Sequence, residues 1–242
     1  MYWTCATGGY QGISVQITTS LGSMNPGGIR HVFIHQVVNP QRSFLLRQTR
    51  FVGKLIPDTG TVMFNGHSLL GQKPHKINQL GVSRVFQTPE IFSGLSVFEN
   101  VIIPCFAKRD GSFRLHAIET VANEVDMVEK AEQMLIDVNM QDKRHMNAAS
   151  LSRGDKRRLE MAMCLAQDPR LLLLDEPTAG MARADTNNTI DLLKQIQDSR
   201  NITMVIIEHD MHVVFSLAER ITVLAQGTPI AEDIPANIKG HP

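Results

Sequence analysis

Glycine is missing from one long internal stretch. Between Gly28 and Gly53 there is none, and residues 31–46 read HVFIHQVVNPQRSFLL. Consecutive backbone N–H groups can converge on an anion only where the chain turns as glycine allows. Here Val37 and Val38 resist unusual backbone angles and Pro40 has no N–H to offer. The pattern G-x-x-x-x-G-K-[ST] is therefore absent. Gly53–Lys54 does not restore it, because Leu55 follows and Gln48 stands where the first glycine is needed. Cysteine is scarce too: Cys5, Cys105 and Cys164 lie far apart, which excludes a disulfide framework and metal-type spacing and suits a reducing cytosol. Net charge is zero, with 24 basic and 24 acidic residues, so no bulk electrostatic attraction to nucleic acid is expected. No apolar run approaches the roughly 20 residues that span a bilayer. The opening MYWTCATGGYQG has neither the basic start nor the apolar core of a signal peptide. A soluble protein is expected, with any membrane role exerted through a partner.

What is present is an alternation of strands and helices in a chain of 242 residues. ISVQITTSL, IRHVFI and GTVMFNG read as strands in the N-terminal third. Over about residues 85–150 the character becomes helical. ETVANEVDMVEKAEQMLIDV carries Val121, Val125, Val128, Ala131, Leu135 and Val138 at helical spacing. Beyond Leu151 the pattern is GDKRRLEMAMCLAQD as a helix with Leu159, Ala162, Met163 and Ala166 on one face, then the strand RLLLLDEP. DTNNTIDLLKQIQD is a helix, ITMVIIEHD a strand and MHVVFSLAER a helix. ITVLAQGTPIAED is a hairpin turning at Gln226–Gly227. Continuous apolar strands between helices predict an α/β fold around a parallel sheet covered on both faces.

The densest chemical signal is LLLLDEPTAG, where Asp175 and Glu176 stand at the carboxyl end of a central strand. Ligands of open α/β sheets bind at such strand ends. Paired acids there can support Mg²⁺ and orient an attacking water. Upstream, SLSRGDKRRLE places Ser152 as a helix N-cap with Asp155 three residues on, and Ser152 and Gly154 at a helix start that offers N–H groups to an anion. VFQTPEIF puts Gln87 at the entry to the helical region, and IIEHD puts His209 at the end of the next apolar strand.

The order of Gln87, LSRGD, LLLLDEP and EHD resembles the ATP-binding subunits of ABC transporters, over roughly residues 54–242. In detail it is similar to the branched-chain amino acid importer group, with urea-type importers sharing much of the pattern. The resemblance implies one ABC-type ATPase domain over residues 1–242. This would be a RecA-like P-loop NTPase core with an inserted helical subdomain over about 85–150 and an N-terminal antiparallel β region. It implies ATP and Mg²⁺ as cofactors, transmembrane permease subunits and a second ABC ATPase subunit as partners, no nucleic acid, and a cytoplasmic place on the inner face of the cell membrane. Carried over by residue, Gln87 senses Mg²⁺ and the membrane partner, and Asp175 supports Mg²⁺. Glu176 polarises the attacking water and His209 contacts the γ-phosphate. Ser152 and Gly154 close over ATP bound by the opposite subunit. Arg42 and Ser43 are the nearest stand-ins for the missing lysine and hydroxyl. The chain departs from the pattern at Arg153 and Asp155 in the signature, and at Thr7 where an adenine-stacking aromatic is usual, with Tyr10 nearby. The missing loop leaves two further expectations open: a degenerate subunit that lends its signature to a partner ATPase, or a non-functional copy disrupted in its N-terminal region.

Overall fold

Two apolar strands with opposite faces buried in different cores organise the molecule. The computed structural model describes residues 15–17, 30–36, 62–86, 88–111, 124–225 and 228–240. Strand β6 (Leu171–Asp175) is buried at every position, and β7 (Thr203–Glu208) at all but its first. Side chains alternate across a strand, and here they alternate between two clusters. Leu172, Leu174, Met204 and Ile206 enter the larger core, while Leu171, Leu173, Val205 and Ile207 enter the smaller. Full burial of each such side chain contributes about 1.5–3 kcal/mol.

Around them lie β2 (Arg30–Gln36), β5 (Val82–Val85), β8 (Arg220–Ala225) and β9 (Thr228–Asp233). The order is β5-β6-β7-β2-β8-β9, parallel throughout except for β9 at the edge. The register brings the carboxyl ends of four strands together: Val85 opposite Leu174, Asp175 opposite Ile207, and Ile34 opposite Glu208. The hairpin expected near Gln226–Gly227 forms, since Ala225 pairs with Thr228, although the two turn residues lie outside the described residues.

The larger core is covered by helices. α2 (Val97–Asp110) opens with a complete capping box between Ser96 and Glu99. It contains Pro104, whose missing N–H normally breaks a helix. At the start of the helix the fully buried Asn100 fastens the preceding loop, donating to the carbonyls of Phe92 and Ser96 and accepting from the Phe92 N–H. α3 (Val125–Asp137) buries Ala131 and Leu135 as its spacing predicts. Val125 is exposed, because it opens the helix before its neighbours are reached, and Val121 lies outside the described residues. α4 (Arg153–Leu165), α5 (Arg183–Arg200) and α6 (Met211–Leu217) complete this layer.

The smaller core is closed by β3 (Val62–Phe64) and α1 (Pro74–Gln79), with the exposed β4 (His67–Ser68) paired to β3. β1 (Val15–Ile17) joins this second sheet. That sheet is mixed, not wholly antiparallel. β3–β4 is antiparallel, but β1 runs parallel to β3. The chain between β1 and β3 passes through β2 in the other sheet, and so long a crossover permits parallel pairing.

Candidate active site

Three strand ends, those of β5, β6 and β7, supply the site. The last residue of β6, Asp175, has only 1% of its surface exposed and accepts from Arg84 Nη2 at 3.0 Å. Arg84 comes from β5, whose pairing with β6 places it beside the acid. Burial pushes the Asp175 carboxyl above its ordinary value, and the Arg84 charge works against that rise. The Arg84 guanidinium lies 4.8 Å from the Phe86 ring, while its Nε and Nη1 atoms have no hydrogen-bond partner among the described residues. Removing one member of such a buried pair costs about 3–5 kcal/mol.

Glu176 follows at a φ of 45°, the left-handed region that a glutamate seldom occupies. Such a conformation costs about 1–3 kcal/mol and persists only where the surroundings fix it. They do so at both ends. Its N–H donates to the Ile207 carbonyl at 2.9 Å, and its carbonyl accepts from Arg157 Nη2 at 3.3 Å. The side chain then turns toward β7, where Glu176 Oε1 lies 3.6 Å from His209 Nδ1, with 24% and 60% of the two side chains exposed. At that separation the carboxylate and the imidazole are direct neighbours, and the open face of each can take a water or a phosphate oxygen from the solvent side.

Glu208 was not among the expected site residues. It lies on the face of β7 shared with Met204 and Ile206, so its carboxylate points inward and needs partners. Thr178 supplies them, through its N–H at 3.1 Å and its hydroxyl at 2.6 Å. Burial pushes the Glu208 carboxyl up, against those hydrogen bonds. The turn after Glu176 is thereby fastened to β7. The signal was present in the sequence: an acid on the buried parity of an apolar strand demands a donor.

Ser152 and Gly154 open α4. The Ser152 hydroxyl accepts the Asp155 N–H at 3.1 Å and donates to its carboxylate at 2.8 Å, which Lys143 also engages at 2.6 Å. Burial alone would raise Asp155, but the bonds from Lys143 and Ser152 bring it below its ordinary value. A Cβ on Gly154 would touch nothing within 4 Å, so nothing in the described part of the chain crowds this first turn. At Gly180 the case is opposite. Its φ is +69° and an added Cβ would meet the Arg153 guanidinium at 2.7 Å. Arg153 therefore links the start of α4 to the turn beyond Glu176.

The structure thus brings Asp175, Glu176 and His209 together at the ends of β6 and β7, one strand from the end of β2. Ser152 and Gly154 lie at the start of α4, about one helical turn before Arg157. Gln87, Arg42 and Ser43 fall outside the described residues, as does the glycine-free segment after β2. The flanks of Gln87 are described: the Phe86 and Glu90 N–H groups both donate to Glu160, at 3.0 and 3.4 Å.

Residues 43–179 match the ABC transporter family. The chain is 33% identical over 189 residues to the high-affinity branched-chain amino acid transport ATP-binding protein BraF of Pseudomonas aeruginosa, covering 77% of this chain and 74% of that one. It is 30% identical over the same span to LivG of Escherichia coli, with the same coverage. It is also 30% identical to the methionine import ATP-binding protein MetN of Legionella pneumophila, over 83% of this chain and 55% of that one. Among solved structures, an ABC transporter ATP-binding cassette in its ADP conformation superposes with a TM-score of 0.71 at 24% identity, over 87% of this chain and 82% of that one. The cbiO1 subunit of Clostridium perfringens gives 0.73 at 22%, over 89% and 80%. The fold is that of an ABC ATP-binding cassette.

Proposed function

Because the chain belongs to the ABC transporter family, we propose that it is the ATP-binding subunit of an importer for branched-chain amino acids, coupling ATP hydrolysis to solute uptake. The likeness to BraF at 33% identity and to LivG at 30% supports that solute class. The hydrolytic part rests on one observation. Glu176 and His209 face each other at 3.6 Å across adjacent parallel strand ends.

In this reading Glu176 accepts a hydrogen bond from the attacking water and draws off its proton, a contribution of about 10²–10⁴-fold for a positioned base. His209 donates from its exposed ring toward the terminal phosphate. Thr178 and Glu208 hold the turn that carries Glu176, and Arg84 partly offsets the buried Asp175 charge. Gln87 and Asp175 are the residues that would hold Mg²⁺, which when bound neutralises phosphate charge and polarises the bond to be broken. The donor set suits it. Among the described residues no three His, Cys, Asp or Glu side chains form a cage of their own, and Mg²⁺ uses one or two carboxylates together with phosphate oxygens. Among the described residues no helix is long and apolar enough to cross a membrane. The chain attaches to the inner face of the membrane through permease subunits and pairs with a second ATP-binding subunit.

A second reading is favoured by the lack of glycine between Gly28 and Gly53. Charge-assisted hydrogen bonds contribute ~1.5–3 kcal/mol each. Losing several phosphate contacts removes on the order of 5 kcal/mol, about 10³–10⁴-fold in affinity. In that case the open first turn at Ser152 and Gly154 closes over nucleotide held by the partner. ATP-driven leucine uptake into vesicles holding the assembled importer separates the two. The first reading expects uptake to be lost with Glu176→Gln. The second expects it to survive Glu176→Gln and to fall with Ser152→Ala. Absence of leucine uptake by the wild-type assembly would refute the proposed solute.

A further inference from the structure

The interior of α4 contains a charged pair that the proposed hydrolysis does not use. Arg157 and Glu160 stand 3.1 Å apart at i and i+3, with only 6% and 4% of their side chains exposed. Two facing charges satisfy one another only in part, and a carboxylate and a guanidinium have further lone pairs and protons to place. Their further bonds to the described residues reach one small region. Glu160 Oε1 accepts the N–H of Phe86 at 3.0 Å and the N–H of Glu90 at 3.4 Å. Arg157 Nη1 donates to the Phe86 carbonyl, and Nη2 to the Glu176 carbonyl at 3.3 Å.

Three segments meet at this pair: the loop leaving β5, helix α4, and the turn leaving β6. The loop is held on both sides of Gln87. The turn is held at the carbonyl of Glu176, the residue in the left-handed conformation. We infer that Arg157 and Glu160 form a positioning pair, a rigid coupler that ties Phe86 and Glu90 to α4 and fixes the backbone angle at which Glu176 presents its carboxylate to His209. The catalytic half of this inference rests on the reading of Glu176 given above; the mechanical half does not. Neither residue touches the reacting atoms. A lysine cannot replace Arg157, because a single ammonium cannot reach the Phe86 and Glu176 carbonyls with the planar fork of a guanidinium.

The test is amide hydrogen exchange on the full chain, which needs no turnover, joined to steady-state hydrolysis by the assembled importer. Glu160→Ala is expected to speed exchange at Phe86 and Glu90 by about tenfold or more, with the amides of β6 and β7 unchanged. Glu160→Gln, which retains the oxygen acceptor, is expected to restore protection at both amides. Arg157→Lys is expected to lower kcat by about tenfold while KM for ATP stays constant, the signature of an interaction that orients the base without binding substrate. Unchanged exchange at Phe86 and Glu90 in Glu160→Ala would overturn the inference. So would an equal rise throughout β6 and β7, which would mean that the pair only packs the fold. If the wild-type assembly fails to hydrolyse ATP while Glu160→Ala still frees Phe86 and Glu90, the hydrolytic reading fails and the coupler stands.

Discussion

At the scale of single residues, the site is built from side chains whose surroundings disagree with their ordinary behaviour. Asp175 is buried beside Arg84, Glu176 occupies a backbone region that suits glycine, and Glu208 points into an apolar core. Each conflict is resolved by identifiable partners, so each can be probed by removing one of them. Arg84→Met leaves Asp175 buried without its cation, and urea unfolding should show a loss of about 3–5 kcal/mol. Gly180→Ala must relieve a positive φ and displace the Arg153 guanidinium. It should cost about 1 kcal/mol or more by the same measurement. The acid pair and the histidine were legible in the sequence, because paired acids and a histidine ending apolar runs mark strand ends. Arg84 and Arg157 were not. Their importance comes from the groups they reach, the Asp175 carboxylate for Arg84 and the Phe86 and Glu176 carbonyls for Arg157, and spacing along the chain does not encode that.

At the scale of elements, local signals and sheet topology carry different parts of the fold. Ser152 caps α4 as its sequence pattern predicts, and Ser152→Ala should lower stability by about 1 kcal/mol in thermal unfolding. β6 and β7 were readable as buried strands because their apolar runs are unbroken. The same runs conceal the two faces, and only the structure separates Leu172 and Leu174 from Leu171 and Leu173. The parallel pairing of β1 with β3 had no local signature, since a three-residue strand carries too little pattern to set its direction. α2 continues through Pro104, although proline has no N–H to give the helix. The place of β2 between β7 and β8 is a long-range property as well. It matters most for function, because it ends β2 at the same edge of the sheet as Glu176 and His209.

At the scale of the whole molecule, buried carboxylates set the response to pH. Burial raises Asp175, Glu160 and Glu208 above their ordinary values. The folded chain therefore binds more protons than the unfolded chain once pH exceeds those ordinary values, and stability falls as pH rises through the window up to each raised value. Asp155 has the opposite sign: it is lowered on balance, stabilises above its ordinary value, and loses that contribution as pH falls toward its folded value. The sum predicts a higher unfolding midpoint at about pH 5 than at about pH 7.5, followed by a decline in stronger acid. A midpoint that rises from about pH 5 to about pH 7.5 would mean that these three carboxyls are not buried as described.

The central claim is that this cassette hydrolyses ATP with Glu176 as the base. The most direct test is single-turnover hydrolysis of Mg-ATP by the chain assembled with the permease and second ATP-binding subunits of a branched-chain amino acid importer, compared between wild type and Glu176→Gln. A fall of about 10²-fold or more in the rate, with nucleotide still bound, is the predicted result. Equal rates in the two proteins would contradict it and move the chemistry to the partner's site.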